Sequence, residues 1–155
     1  MSALQGPEYV RADLLRRLRD PDPRERQVAL TELSDSVDQD AVEPLLVSLQ
    51  DPDPVVRRLA VELLEELGDA RAIGGLIELL LDPDTTVQGA ARAALREFRG
   101  AEAATALIAA IGHADPAVRS SVIVGLRELK DARSAQPLVD ALNDADGGVR
   151  REAVI

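Results

Sequence analysis

Three kinds of side chain in this sequence are of a type that could do chemistry: one histidine (His113), a cluster of carboxylates (Glu62, Glu65 and Glu66), and arginines that return at a fixed interval (Arg26, Arg57, Arg119 and Arg150). Catalysis needs a nucleophile, an acid–base pair or a metal gathered in a pocket. A lone histidine cannot build a multi-histidine metal site, and a chain without cysteine has no thiolate to offer. His113 stands in a turn where the neighbouring turns carry Asp, so it reads as a solvated turn residue. Glu62, Glu65 and Glu66 fall within about one helical turn and read as an exposed face. Gly74-Gly75 lies inside a predicted helix and lacks the flanking strand of a phosphate-binding loop. Gly147-Gly148 follows a predicted cap and weakens that helix start. The residues therefore predict no catalytic group, no metal, no cofactor and no enzyme.

Composition narrows the partners. The 155 residues are 46% hydrophobic and 30% charged, yet only 1% aromatic, so a core must be built from aliphatic side chains. Rings for stacking bases are almost absent. The formal net charge of -10 works against phosphate binding, which draws on clustered Lys and Arg. These facts predict no nucleic-acid partner. Lys130 is the one lysine among eighteen basic residues, a bias that hints at a GC-rich genome rather than at a function. No apolar run approaches the length of a membrane span, and Met1–Pro7 lacks the features of a signal peptide. The cytoplasm is the expected compartment, with the redox state left open by the missing cysteines.

The elements that would position these side chains come from self-comparison. Asp22, Asp53, Asp84, Asp115 and Asp146 are each 31 residues apart, and the strings around them recur: DPDPRERQVALTEL, DPDPVVRRLAVELL, DPDTTVQGAARAAL, HADPAVRSSVIVGL and DADGGVRREAVI. A period of this size signals a solenoid. Each unit reads as two helices. In the first, apolar columns run through Leu14, Leu45, Leu76, Leu107 and Leu138, through Leu15, Leu46, Ile77, Ile108 and Val139, and through Leu18, Leu49, Leu80, Ile111 and Leu142. Spacings of one and four put these on one helical face. In the second, the columns are Ala29, Ala60, Ala91, Val122 and Ala153, then Leu33, Leu64, Leu95 and Leu126. Between the two, Pro21, Pro52 and Pro83 stop the first helix, the following Asp caps the second, and Pro23, Pro54 and Pro116 occupy its first position, where a missing N–H costs nothing.

The turn D-P-D-P-x-V-R, with the small and Leu positions after it, resembles the short HEAT-like repeat named after phycobilisome lyases. Gly68-Asp69-Ala70-Arg71-Ala72-Ile73 and Asp131-Ala132-Arg133 resemble that family's link between units. The resemblance implies an all-α fold, a right-handed α-solenoid (α-α superhelix) of about five 31-residue two-helix units. One domain, 1–155, is expected, with units at about 7–37, 38–68, 69–99, 100–130 and an incomplete 131–155. It also implies a structural ladder in the turns. The Arg column is Arg26, Arg57, Gln88, Arg119 and Arg150, and the Asp column is Asp20, Asp51, Asp82, His113 and Asp144, so Gln88 and His113 predict a weaker tie between the third and fourth turns. A row of arginines is read here as bonding turn carboxylates and carbonyls rather than phosphate. HEAT-like iron hydroxylases carry several His-Glu pairs, and this sequence has none. Glu25 and Glu32 replace apolar residues in the first unit, which suits a polar terminal cap. The fifth unit stops on Ala153-Val154-Ile155, part-way through a helix. That predicts a fragment of a longer array, or an end covered by continuation or end-to-end association.

In HEAT solenoids the second helices line the concave side, so the resemblance places a partner there. Subtracting the core columns leaves Val55, Arg58, Leu59, Glu62, Glu66, Thr86, Ala90, Glu97, Ser121, Val124 and Glu128 as the expected partner-binding residues. Asp35, Glu66, Glu97 and Glu128 form an acidic column, which is either a rim for a peptide with basic residues on one side or a solvated helix edge. The leading function is a non-enzymatic scaffold presenting this groove to a protein or peptide. A phycobilin lyase-like or chromophore-handling subunit is the alternative, and a designed scaffold a third, disfavoured because the units diverge too far for a strict consensus.

Overall fold

The computed structural model describes residues 7–154, with the side chains at 7, 9 and 10 left aside. The start of the sequence, Met1 to Gly6, and the apolar terminal Ile155 therefore lie outside the described residues. Among the described residues ten α-helices follow one another: α1 Pro7–Arg17, α2 Pro23–Leu33, α3 Val42–Ser48, α4 Pro54–Leu67, α5 Ala72–Leu79, α6 Thr85–Glu97, α7 Gly100–Ala110, α8 Pro116–Leu129, α9 Ala135–Ala141 and α10 Gly147–Ala153. No strand occurs among the described residues. Short 3₁₀ turns at Ser34–Ser36, Gln39–Ala41 and Ala132–Ser134 link units. No helix among the described residues is long and apolar enough to cross a membrane.

One local program recurs at every turn. The Asp carboxylate of each cap accepts from the backbone N–H of the second helix: Asp22 from Arg24, Asp53 from Val56, Asp84 from Thr86, Asp115 from Ala117 and Asp146 from Gly148, all at 2.8–3.0 Å. Each such cap is worth about 1 kcal/mol. The first helices close by tightening into i→i+3 bonds, as at Asp51 N–H to Ser48 O and Asp82 N–H to Leu79 O, both 3.2 Å. Gly68 ends α4 in the left-handed region (φ 62), and Lys130 takes the equivalent place after α8 (φ 54).

Odd-numbered helices pack on the even-numbered helix of their own unit, and the even-numbered helices also stack side by side, α2 on α4, α4 on α6, α6 on α8 and α8 on α10. The even layer is packed more extensively than the odd layer. The even-numbered helices α2, α4, α6, α8 and α10 thus form one continuous layer of the solenoid and the odd-numbered helices the other. The core between the layers is the predicted set of columns. Ala29, Ala60, Ala91, Val122 and Ala153, like Leu33, Leu64, Leu95 and Leu126, are at most 1% exposed. Small residues there let the backbones approach, and Gly75 does the same for the outer layer: a Cβ on it would stand 2.6 Å from Leu49 Cδ1.

Two features depart from the sequence reading. Val139 and Leu142, placed in core columns, are exposed, because α9 packs on α10 and, among the described residues, no further odd-numbered helix follows to cover its other side. Phe98, which no column marked, is buried where α6 turns toward α7. The first unit does present a polar face: the Arg17 guanidinium donates to both Glu32 (2.8 Å) and Glu25 (3.2 Å).

Candidate binding surface

The arginine row is a set of staples between turns. Arg26 donates two hydrogen bonds to the Asp51 carboxylate in the next unit (2.7 and 2.8 Å) and a third to the Asp20 carbonyl of its own turn (2.7 Å). Arg57 repeats this with Asp82 (2.7 and 2.8 Å) and the Asp51 carbonyl (2.7 Å), and Arg119 with Asp144 (2.9 and 2.8 Å) and the His113 carbonyl (2.8 Å). Each carboxylate also accepts the N–H two residues on, as Asp82 does from Asp84 (2.8 Å). Fork-to-carboxylate pairs of this kind are the strong, geometrically exacting ones. With four of the five N–H donors of each bonded within the structure, these guanidiniums have little left for an outside ligand. Arg119 holds the Asp144 carboxyl below its ordinary range, helped by the Asp146 N–H.

The row breaks at its third joint. Gln88 reaches only the carbonyl of Asp82 (2.6 Å), and His113 Nδ1 accepts the Asp115 N–H (3.0 Å) in place of a carboxylate. No side chain there bridges the third and fourth turns. Arg150 keeps only the carbonyls of its own turn, Asp144 (2.7 Å) and Ala145 (3.0 Å). A second set of staples runs along the links between units. The Asp131 carboxyl is lowered to about 2, by the Arg133 side chain first and the Arg133 N–H second. Asp69 is lowered chiefly by Arg71, whose guanidinium also reaches Glu43 (2.7 Å).

On the even-helix face, Val55, Glu62, Glu66, Thr86, Glu97 and Glu128 are exposed, and Arg58, Leu59, Ala90 and Val124 are half-buried. Ser121 is a correction: it is buried and its hydroxyl donates to the Ala117 carbonyl (3.0 Å), so it forms part of the floor of a cleft rather than an exposed contact position. The acidic column is not a uniform rim either. Asp35 sits in a 3₁₀ turn beyond α2, Glu62 pairs with Arg58, and Glu128 stands 3.8 Å from Arg96. Carboxylates crowd only where α4 meets α6. There burial first, then Glu97 and Glu62, push the Glu65 carboxyl above its usual value.

Further along, the face changes sign. A cleft of about 630 Å³ opens between α6, α8 and α10, lined by Arg92, Arg96, Ala117, Ser120, Ser121, Val124, Arg127, Glu128 and Glu152. The arginines of this cleft were missed because their positions entered neither the core columns nor the groove set read from the period. Arg92 aligns with Leu30, Val61 and Ile123, all at most 1% exposed, whereas Arg92 itself is exposed. A charge in an apolar column was the available signal. Among the described residues no group of three or more His, Cys, Asp or Glu is arranged to hold a metal ion.

Comparison with known proteins follows this geometry. The HEAT repeats family matches residues 11–96 and 73–155. A chain of the complex of CpcE and CpcF of phycocyanin lyase from Nostoc sp. PCC7120 is similar in structure, with a TM-score of 0.59 at 23% identity, and the match covers 99% of this chain. This chain spans 65% of that one's length. Two engineered proteins are similar at 22% identity, with TM-scores of 0.51 and 0.54; they cover 94% and 93% of this chain and 76% and 77% of their own. At such identity the likeness is one of fold. No curated protein matches the sequence.

Proposed function

The chain belongs to the HEAT repeats family, and from that premise we propose that it is a non-enzymatic interaction module whose inner face holds a protein or peptide partner. The observation that carries this reading is the contrast between its two edges. On the turn edge the arginines are consumed by the structure, while the even-helix face leaves Val55, Leu59, Thr86, Ala90 and Val124 accessible between charged flanks. Small apolar and polar residues between charges suit a helix or an extended segment laid across several units. The acidic crowding at Glu62, Glu65, Glu66 and Glu97 favours basic residues at that end of the partner. The similar phycocyanin lyase chain was found in a complex of two proteins, which agrees with a module that works by assembling with another chain. A bilin-handling role is the second reading and rests on that likeness alone. Co-expression with an apo-phycobiliprotein and a bilin supply tests it, and absence of covalent colour removes it.

Photo-crosslinking tests the leading reading. A photoreactive residue at Thr86 or Glu62 on the inner face, and another at Val47 on the outer layer, are introduced separately into the full chain in its native cells. Adducts of one defined mass from Thr86 and Glu62, with none from Val47, are expected. Equal adducts from Val47 contradict the assignment of the face.

A further inference from the structure

The third joint of the array differs from the others in four ways that converge on one place. Its turn staple is absent, since Gln88 and His113 do not bridge. Its link lacks the Asp that Asp38, Asp69 and Asp131 supply at the other joints; Gly100 stands there instead, at φ 91. An arginine, Arg92, occupies a column that is apolar and buried in α2, α4 and α8. Facing it, α8 presents the small residues Ala117 and Ser120, and the cleft of about 630 Å³ opens between them. The first two changes remove ties between the units, and the last two charge the cleft and give it room. On the core side the joint stays tight: a Cβ on Gly125 would meet the Leu95 carbonyl at 3.0 Å.

We propose that this cleft, between α6 and α8, receives an acidic peptide segment of the partner, with one of its carboxylates seated between Arg92 and Arg96. The proposal rests on the reading of the inner face as the partner's seat and adds the chemistry of what lies at this end of it. Arg92 makes no ion pair or hydrogen bond among the described residues. Arg96 stands 3.8 Å from Glu128, beyond hydrogen-bonding distance, with both side chains about half exposed. Exposed pairs of that kind are weak and readily redirected. Arg92 and Arg96 are four residues apart on one helix, a like-charge spacing that destabilises a helix on its own and is relieved by a shared anion. Arg127 is different: it donates to the Glu152 carbonyl (3.1 Å) and holds α8 to α10, so it forms the far wall. The fork of a guanidinium fits a carboxylate in two-bond geometry. Val124 and Ala117 beside it supply apolar contact that a peptide uses and an inorganic ion does not. With the acidic crowding over α4, the face is polarised along its length, and a partner segment that is basic at one end and acidic at the other matches it in one direction only.

The test uses a fluorescent oligoglutamate decapeptide, an oligolysine decapeptide and inorganic phosphate on the full chain. Arg92→Leu restores the class of residue the column carries elsewhere, and Arg96→Gln is a second variant that leaves the column alone. Arg151→Gln, on the exposed side of α10 and outside the cleft, is the control. The expected result is salt-dependent binding of oligoglutamate, weakened about tenfold by either cleft variant and changed less than about twofold by the control. Failure of the wild-type chain to bind oligoglutamate, binding by R92L and R96Q as tight as by the wild-type chain, oligolysine binding weakened by those same two variants, or displacement by phosphate alone overturns the proposal. If R92L leaves oligoglutamate binding unchanged while partner adducts from Thr86 persist, the cleft assignment falls and the inner-face reading stands. If the Thr86 adducts themselves match those from Val47, the inner-face reading falls first.

Discussion

Replacing Arg57 by Gln and Asp82 by His transplants the chemistry of the third joint into the second, and the cycle of single and double variants measures what a staple is worth. The Asp82 side chain is 3% exposed and receives two bonds from Arg57 at 2.7 and 2.8 Å. Arg57→Gln alone leaves that carboxylate buried with one backbone N–H. Asp82→His alone leaves a guanidinium, 11% exposed, with carbonyls but no counter-charge. Breaking one side of a buried pair costs about 3–5 kcal/mol, a large share of a typical total of about 5–15 kcal/mol. The double variant has a precedent within the chain: Gln88 bonds its own turn carbonyl at 2.6 Å and His113 takes the turn N–H at 3.0 Å. It should therefore cost less than the sum of the singles, by a coupling of about 1–3 kcal/mol. Urea unfolding at fixed salt, at about pH 8 where an ordinary imidazole is neutral, gives each value by linear extrapolation. Single losses under about 0.5 kcal/mol, or additivity within that margin, would refute the claim that the staples tie unit to unit.

The converse repair, Gln88→Arg with His113→Asp, should raise stability by about 1 kcal/mol in the double variant and by little in either single, read from the same melts; a double variant no better than its parts contradicts it. Ser134 is buried in a column otherwise held by Ala41, Ala72 and Ala103, and its Oγ has no partner, so Ser134→Ala should stabilise by about 1 kcal/mol, and a loss means that the hydroxyl is satisfied by solvent. Asp53, Asp69, Asp84, Asp131 and Asp144 are all held below their ordinary range. Groups depressed in the folded state contribute stability above the unfolded Asp value of about 3.9, and it is lost as pH falls through the folded values, for Asp131 about 2. Glu65 has the opposite sign: its raised value contributes stability below the ordinary Glu value of about 4.3 that is lost as pH rises, so Glu65→Gln should raise the melting temperature at neutral pH and not at pH 3. Leu76→Ala and Leu95→Ala remove fully buried side chains and should each cost roughly 2–5 kcal/mol; losses under about 0.5 kcal/mol at both would mean that the columns are not the core.

The fold was legible because a solenoid writes its core as columns, and a column is read by subtraction of 31. Ala60 and Leu64, with their counterparts, needed nothing beyond periodicity. Side-chain reach was less legible. That the Arg57 fork closes on a carboxylate 25 residues ahead, rather than on the one six residues behind, depends on how far successive turns stack, which the sequence does not state. The inner face is assigned through resemblance alone, because the direction in which a stack curves depends on small rotations between units that no column of residues records. Ser121 looked like groove surface because its column holds Leu59 and Ala90, yet its hydroxyl folds back on Ala117. Arg92 was hidden for another reason: its position entered neither a core column nor the groove set, although the departure of one member from Leu30, Val61 and Ile123 marked the place where the cleft opens.

Hydrogen exchange on the chain bound to its captured partner tests the inner-face claim most directly. Protection on binding should be concentrated in α4, α6 and α8, with α3, α5 and α7 exchanging as in the free chain. Protection confined to the odd helices, or to the turn edge where the staples lie, would contradict the account.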